Sequence, residues 1–279
     1  ADPGTGDPLK DFEEIEGELV SWYQKIIESN HDRIVKRLDA HRAPLAIAEP
    51  LKGMRVSEDD VSKALELTKL NGSEFDSWTG EQLWKFTGFL REVSKPTILV
   101  ANKMDLPGAV KNYRRLRDAN PDLITVPASA EAELALRKAE LGKLIKYNPG
   151  DESFVVLNDK AMTERQKWAL QHIQNMVFRE FMRTGVQFAI NTSVFKLLRM
   201  NVVYPVYDPE RFSDKHSHVL PDAYLEKDGS TVSDLAQAVH TQLAKGLLYA
   251  VDARTKLRLP NDYHLKDRDV LSLVTASQR

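Results

Sequence analysis

Two short apolar, β-branched runs constrain this chain most, because each leads at once into a polar loop and then a helical pattern. Pro96–Ala101 (PTILVA) is continuous and apolar, as expected for a strand buried on both faces. It opens into the loop NKMDLPG and a basic helical stretch around Lys111–Arg117. After a break at Pro121, Leu123–Pro127 (LITVP) repeats the pattern and passes through Ala128-Ser129-Ala130 into a helix reaching about Leu144. A strand that returns through a helix pairs in parallel with its predecessor, so this is the wiring of an α/β unit. Ligands in such sheets sit at the carboxyl ends of the strands, which points to the loops after Ala101 and Pro127.

The flanking regions differ in character. Residues 1–95 comprise the start of the chain and a helical segment. Phe12, Ile15, Leu19, Trp22 and Ile26 recur at three- and four-residue steps, and a second run carries Ile34, Val35 and Leu38 toward Leu45. Ser57 and Thr79 each precede acidic and then apolar residues, which marks two further helix starts. Asp and Glu outnumber Lys and Arg here, giving a solvated acidic face. Residues 96–198 hold the α/β unit, a Tyr147–Asp151 linker and a helix opened by Thr163. Residues 199–279 return to strands: Val202–Tyr207, Tyr224-Leu225, Leu247–Val251 and Val270–Val274. Among them, one helix runs from Thr231 to Lys245-Gly246, which suggests a β-grasp fold. Trp22, Trp84 and Trp168 fall on apolar helical faces and are expected in the core, and Trp78 falls in a loop.

Composition narrows the function classes. The net charge of −2 leaves no global field that would steer the chain onto nucleic acid or an anionic membrane. There is no cysteine, hence no disulfide framework, which fits a reducing compartment. No apolar run is long enough to span a bilayer, and ADPGTGDPLK lacks the features of a secretory leader. The expectation is a cytoplasmic protein with neither membrane nor DNA as partner. The start at Ala1, within a Pro-, Gly- and Asp-rich stretch, is expected to lie inside a longer protein.

Asn102-Lys103-Met104-Asp105 matches the N-K-x-D signature of guanine-nucleotide-binding proteins, at the strand end where such a loop belongs. The fourth-position carboxylate can accept two parallel hydrogen bonds from guanine N1–H and its 2-amino group. Adenine offers neither donor and would leave the carboxylate unpaired. The Lys103 stem can lie along the purine face, and Asn102 can tie neighbouring loops together. In guanine-nucleotide-binding domains a Ser-Ala pair after the next strand presents backbone N–H groups to guanine O6, and Ser129-Ala130 matches it here. The expected guanine-binding set is therefore Asn102, Lys103, Asp105, Ser129 and Ala130, with no catalytic residue and no metal ligand. No G-x-x-x-x-G-K-[ST] occurs, nor a D-x-x-G upstream of N-K-x-D, so the sequence carries base recognition without the phosphate cradle. His216-x-His218 has no third ligand at a useful spacing. Lys111, Arg114, Arg115 and Arg117 form a basic helix face, read as either RNA-facing or simply solvated.

Taken together, these stretches resemble the YchF-type branch of the Obg-related GTPases, in the archaeal/eukaryotic subgroup that keeps N-K-x-D. DFEEIEGELVSW, AIAEPL, NKMD, PASAEAELALRKA and VYPVYD carry the resemblance, and GSTVSDLAQAVHTQLAKGLLYAVDARTKLR is similar to a TGS domain. The resemblance implies an α/β fold class. It comprises a partial P-loop-type G domain with a parallel sheet and a helical insertion, plus a C-terminal β-grasp, TGS-like domain. It implies GTP/GDP as ligand, with Mg2+ expected only alongside the missing phosphate-binding half. It also implies GTP hydrolysis in the complete protein and action on ribosome or tRNA. The alternative is a non-catalytic ribosome- or RNA-binding adaptor that has lost the phosphate-binding half.

Overall fold

The computed structural model describes residues 7–38 and 41–276. The opening Ala1–Gly6 and the chain's passage through residues 39–40 toward Leu45 lie outside the described residues. Two units can be distinguished, residues 1–190 and 191–279.

The first unit begins with helices α1 (Pro8–Ser29), α2 (His31–Leu38), α3 (Ala43–Ala48), α4 (Glu58–Thr68) and α5 (Gly80–Ser94). Their boundaries follow local chemistry. Ser57 caps α4 and Thr79 caps α5 in reciprocal capping boxes with Asp60 and Gln82, each of which satisfies backbone N–H groups that the first turn leaves unpaired. Tyr23, Ile27, Ile34, Ile47, Val61, Phe86 and Leu90 fill one core between these helices. The apolar stripe on α1 is rotated from the expected face. Tyr23 and Ile27 are buried, while Ile15 and Trp22 are 54% and 52% exposed. Trp84 and Trp168 are also exposed, which corrects the expectation that these three tryptophans are core. Trp78, expected in a loop, is the tryptophan packed here, 5.0 Å from the Phe86 ring centroid. The physical reason is width: an apolar stripe on a helix can exceed the surface its neighbours cover, and the flanking positions stay wet.

Strand β1 (Leu99–Ala101) pairs in parallel with β2 (Thr125–Pro127), joined by helix α6 (Ala109–Ala119). The α/β wiring therefore forms as expected. Burial on both faces does not: Val100 and Ile124 are 37% and 36% exposed, because among the described residues this sheet has only two strands. Helix α7 (Ala130–Leu141) follows β2, then the short antiparallel pair β3 (Ile145–Lys146) and β4 (Val155–Val156). Thr163 caps α8 (Glu164–Ile173), which passes through a π-helical turn into α9 (Arg179–Phe181). Helix α10 (Val186–Asn191) follows.

The second unit is a five-stranded mixed sheet built from β5 (Met200–Val206), β6 (Tyr224–Lys227), β7 (Leu247–Asp252), β8 (Arg258–Leu259) and β9 (Asp269–Thr275). The strand order β6-β5-β9-β7-β8, with β5 and β9 parallel at the centre, is that of a β-grasp. Val203, Leu235, Ala236 and Leu271 are fully buried between the sheet and its helix. The helix expected to run from Thr231 to Gly246 is two, α11 (Val232–Val239) and α12 (Thr241–Gly246). The break falls at His240, whose backbone is extended and whose ring nitrogen accepts from the Gln242 N–H to cap the second helix.

Candidate functional site

The five expected site residues sit in two loops side by side at the carboxyl ends of β1 and β2. Parallel pairing continues past the strands, with the Ala128 N–H donating to Ala101 O at 2.8 Å. Met104, the variable position of the signature, anchors the first loop. Its N–H donates to Ala128 O at 3.0 Å, and its side chain is 3% exposed in a cluster with Ala101, Ala109 and Leu116. With Met104 pointing inward and Lys103 in the left-handed region at φ 63°, Lys103 is left exposed and Asn102 and Asp105 half-buried.

Asp105 and Ser129 meet directly. The Ser129 hydroxyl donates to Asp105 Oδ1 at 2.6 Å and also caps α7 by accepting from the Ala132 N–H at 3.3 Å. One lone pair of Oδ1 is thereby used, and the remaining capacity of the carboxylate stays available to a planar donor pair. Asn102 Oδ1 accepts from the Ala130 N–H at 3.0 Å, which stitches the first residue of one loop to the start of α7. Both N–H groups of the Ser129-Ala130 pair are thus engaged, because the Ser129 N–H donates to Thr184 O at 2.8 Å.

Residues the motifs do not mark complete the second loop. Gly185, at φ 82°, lies so close to Pro127 and Ala128 that a Cβ there would sit 2.0 Å from Pro127 O. Glu133, one turn into α7 and 4% exposed, accepts from Arg137 Nε at 2.6 Å, Thr184 Oγ1 at 2.6 Å and Tyr147 Oη at 2.8 Å. Burial pushes the Glu133 carboxyl up, but the hydrogen bonds from Thr184, Arg137 and Tyr147 together outweigh it and hold it below its ordinary value. Burial, and then the Glu133 carboxylate it donates to, pushes the Tyr147 phenol up to about 12.

Both shifts carry stability with a definite sign. The Glu133 contribution is complete above the ordinary carboxylate range and is lost as pH falls through its lowered folded value. The Tyr147 contribution is complete below its ordinary value of 10.0 and is lost as pH rises through about 12. Urea midpoints measured across pH are therefore expected to fall at both ends, and Tyr147→Phe is expected to flatten the alkaline arm. An unchanged alkaline arm in that variant removes Tyr147 as its cause.

Elsewhere the expected features are modest. His218 Nδ1 lies 2.9 Å from Asp214 Oδ2 and the His216 ring stands 6.1 Å from the His218 ring. No group of three His, Asp or Glu able to hold a metal ion occurs among the described residues. On α6, Arg115 pairs with Asp7 at 3.0 Å and Arg117 with Asp118 at 2.8 Å, so part of the basic face is matched internally. No helix among the described residues is long and apolar enough to cross a membrane.

Comparisons with known proteins bear on the chain's family. Residues 100–208 match the G4 motif-containing domain of the YGR210-like Obg-like GTPases, and residues 217–275 match the TGS domain. A GTP-binding protein of Methanocaldococcus jannaschii is 39% identical over 273 residues, which is 98% of this chain and 68% of that protein. A GTP-binding protein of Schizosaccharomyces pombe is 26% identical, over 84% of this chain and 59% of its own length. The crystal structure of a GTP-binding protein from Pyrococcus horikoshii superposes with a TM-score of 0.75 at 38% identity, covering 97% of this chain and 72% of that one. The Schizosaccharomyces pombe YchF GTPase shares the fold at 13% identity, with a TM-score of 0.51 over 97% of this chain and 67% of its own. With the N-K-x-D loop seated at a parallel strand end, a β-grasp TGS domain and these relatives, the chain belongs to the Obg-like, YchF-type GTPase family.

Proposed function

We propose that the chain binds guanine nucleotides, with Asn102, Lys103, Asp105, Ser129 and Ala130 selecting the base. The observation that carries this is the 2.6 Å bond from the Ser129 hydroxyl to Asp105, which joins the two loops and orients the carboxylate. Guanine N1–H and its 2-amino group donate to the free capacity of that carboxylate as a charge-assisted pair. Guanine O6 takes the Ala130 N–H in place of Asn102 Oδ1, and the Lys103 stem lies along the purine face. Adenine would leave the carboxylate unmatched, so GTP and GDP are the ligands and ATP is rejected. The relatives named as GTP-binding proteins support the same ligand.

The rest of the function extends from this site. The proposed segments are 1–95 as the start of the chain with a helical insertion, 96–198 as the base-recognition half of the G domain with its following helices, and 199–279 as the TGS-like module. Mg2+ and GTP hydrolysis belong to a phosphate-binding part whose G-x-x-x-x-G-K-[ST] this sequence does not hold. Nucleotide state would regulate contact with ribosome or tRNA through the helical and TGS-like segments, in the cytoplasm.

Asp105→Asn tests the base contact. An amide at this position donates to the 2-oxo group of xanthine and no longer accepts twice from guanine. The preference for GMP over XMP, read by ligand-observed NMR competition, is expected to invert, with guanine affinity falling about 100-fold on the loss of two charge-assisted hydrogen bonds. Unchanged preference sinks the assignment. Salt-dependent binding to ribosomal particles with no nucleotide effect would instead favour the adaptor.

A further inference from the structure

A buried carboxylate that touches no expected ligand stands behind the base loop. Glu133 is one turn from Ser129 on α7, and its carboxylate accepts hydrogen bonds from Thr184, Tyr147 and Arg137. Thr184 is 1% exposed and bonds at both ends. Its hydroxyl donates to Glu133 Oε2 at 2.6 Å, and its carbonyl accepts the Ser129 N–H at 2.8 Å. Ser129 in turn donates its hydroxyl to Asp105 Oδ1. Three consecutive hydrogen bonds thus run Glu133–Thr184–Ser129–Asp105, and Gly185 packs the same segment against Pro127 and Ala128.

A carboxylate at 4% exposure is an inefficient adhesive, since an apolar contact of similar volume would hold α7 to the Thr184 segment at lower desolvation cost. What the charged group adds is direction. It accepts from three donors at fixed angles and leaves the Thr184 side chain one rotamer, so the Thr184 carbonyl and the Ser129 backbone are held in one place. Sites that distinguish ligands by bidentate contacts need that placement to about 0.5 Å, and neighbouring hydrogen bonds supply it.

We propose that Glu133 and Thr184 are positioning residues for base selection, fixing the Ser129 hydroxyl on Asp105 and so setting discrimination at the purine 2-amino group. The inference rests on Asp105 being the base acceptor. A carboxylate held square to the purine edge uses both oxygens, one for N1–H and one for the 2-amino group. A carboxylate free to turn keeps the first bond and weakens the second.

The test compares GMP with IMP, which lacks only the 2-amino group, by ligand-observed NMR on the full 279-residue chain. The unaltered chain is expected to prefer GMP by about tenfold, the worth of one charge-assisted hydrogen bond. Thr184→Val and Glu133→Gln are each expected to reduce that preference to about threefold or less, and Thr184→Ser, which keeps the hydroxyl, to restore it. Melting temperatures are read on the same samples. If Thr184→Val does not fold, Glu133→Gln and Thr184→Ser still give the comparison. A lowered melting temperature with an unchanged GMP-to-IMP ratio overturns the proposal, because the network is then structural alone. Asp105→Ala separates the two readings. Loss of the GMP preference there, with none in Glu133→Gln or Thr184→Val, leaves the base site standing and removes the relay. A preference that survives Asp105→Ala removes the base site, and the relay with it.

Discussion

Gly185→Ala is expected to destabilise the first unit by about 2–5 kcal/mol, a large fraction of the usual 5–15 kcal/mol margin of a domain. Two costs add. At φ 82°, an L side chain pays about 1–2 kcal/mol for the left-handed backbone. The new methyl would stand 2.0 Å from Pro127 O, 2.8 Å from Ala128 Cα and 2.9 Å from Pro127 C. All three are backbone atoms at the end of β2 and the start of the loop after it, so relief requires moving that segment, at the 1–3 kcal/mol typical of overpacking. Gly17→Ala is the control. It sits within α1 with open space around it, and the substitution is expected to stabilise by about 0.5–1 kcal/mol through helix propensity. Urea denaturation of both variants checks the pair, and a Gly185→Ala change within about 1 kcal/mol of the parent would show that the loop gives way freely.

Phe86→Ala should cost a similar amount in the helical part, about 3–5 kcal/mol. Phe86 is fully buried, and its ring closes a series of aromatic contacts in which Trp78 stands 5.0 Å away and Phe75 lies 5.2 Å beyond Trp78. Truncation removes the transferred apolar area, opens a cavity among α-helices that cannot all collapse into it, and forfeits the ring pair. Phe86→Leu, which keeps most of the volume, is expected to cost less than about 1.5 kcal/mol. Trp84, two positions earlier on the same helix, is 45% exposed, and its truncation to alanine should stay within about 0.5 kcal/mol. Chemical denaturation of the three variants settles the order. If Trp84→Ala proves as damaging as Phe86→Ala, the packing described for α5 is wrong.

The contrast between Phe86 and Trp84 also shows where sequence reading works. Helix starts were legible because capping is local: Ser57 with Asp60, Thr79 with Gln82, Thr163 with Gln166 and Thr231 with Asp234 each close within three residues. Which residue of an apolar stripe faces the core is not local. Ile15 and Trp22 fit the three-to-four spacing as well as Tyr23 and Ile27 do, and only the neighbouring helices decide between them. Similarly, nothing near His240 in the sequence marks an end to α11, since the extended residue there is dictated by how the second helix caps itself.

For the proposed site, the sequence named the candidate residues and their approximate place. N-K-x-D after one apolar run and Ser-Ala after the next fixed which loops would lie together, because consecutive strands joined by a helix pair in parallel and bring their carboxyl ends side by side. Tertiary structure alone decided what holds those loops in register. Thr184 and Gly185 reach the base loop from more than 50 residues away in sequence, and Glu133 meets Thr184 across 51 positions. No periodicity or motif encodes such a meeting: a hydrogen bond between distant residues depends on where the whole chain has packed, whereas a cap or a strand depends on residues within a turn of each other.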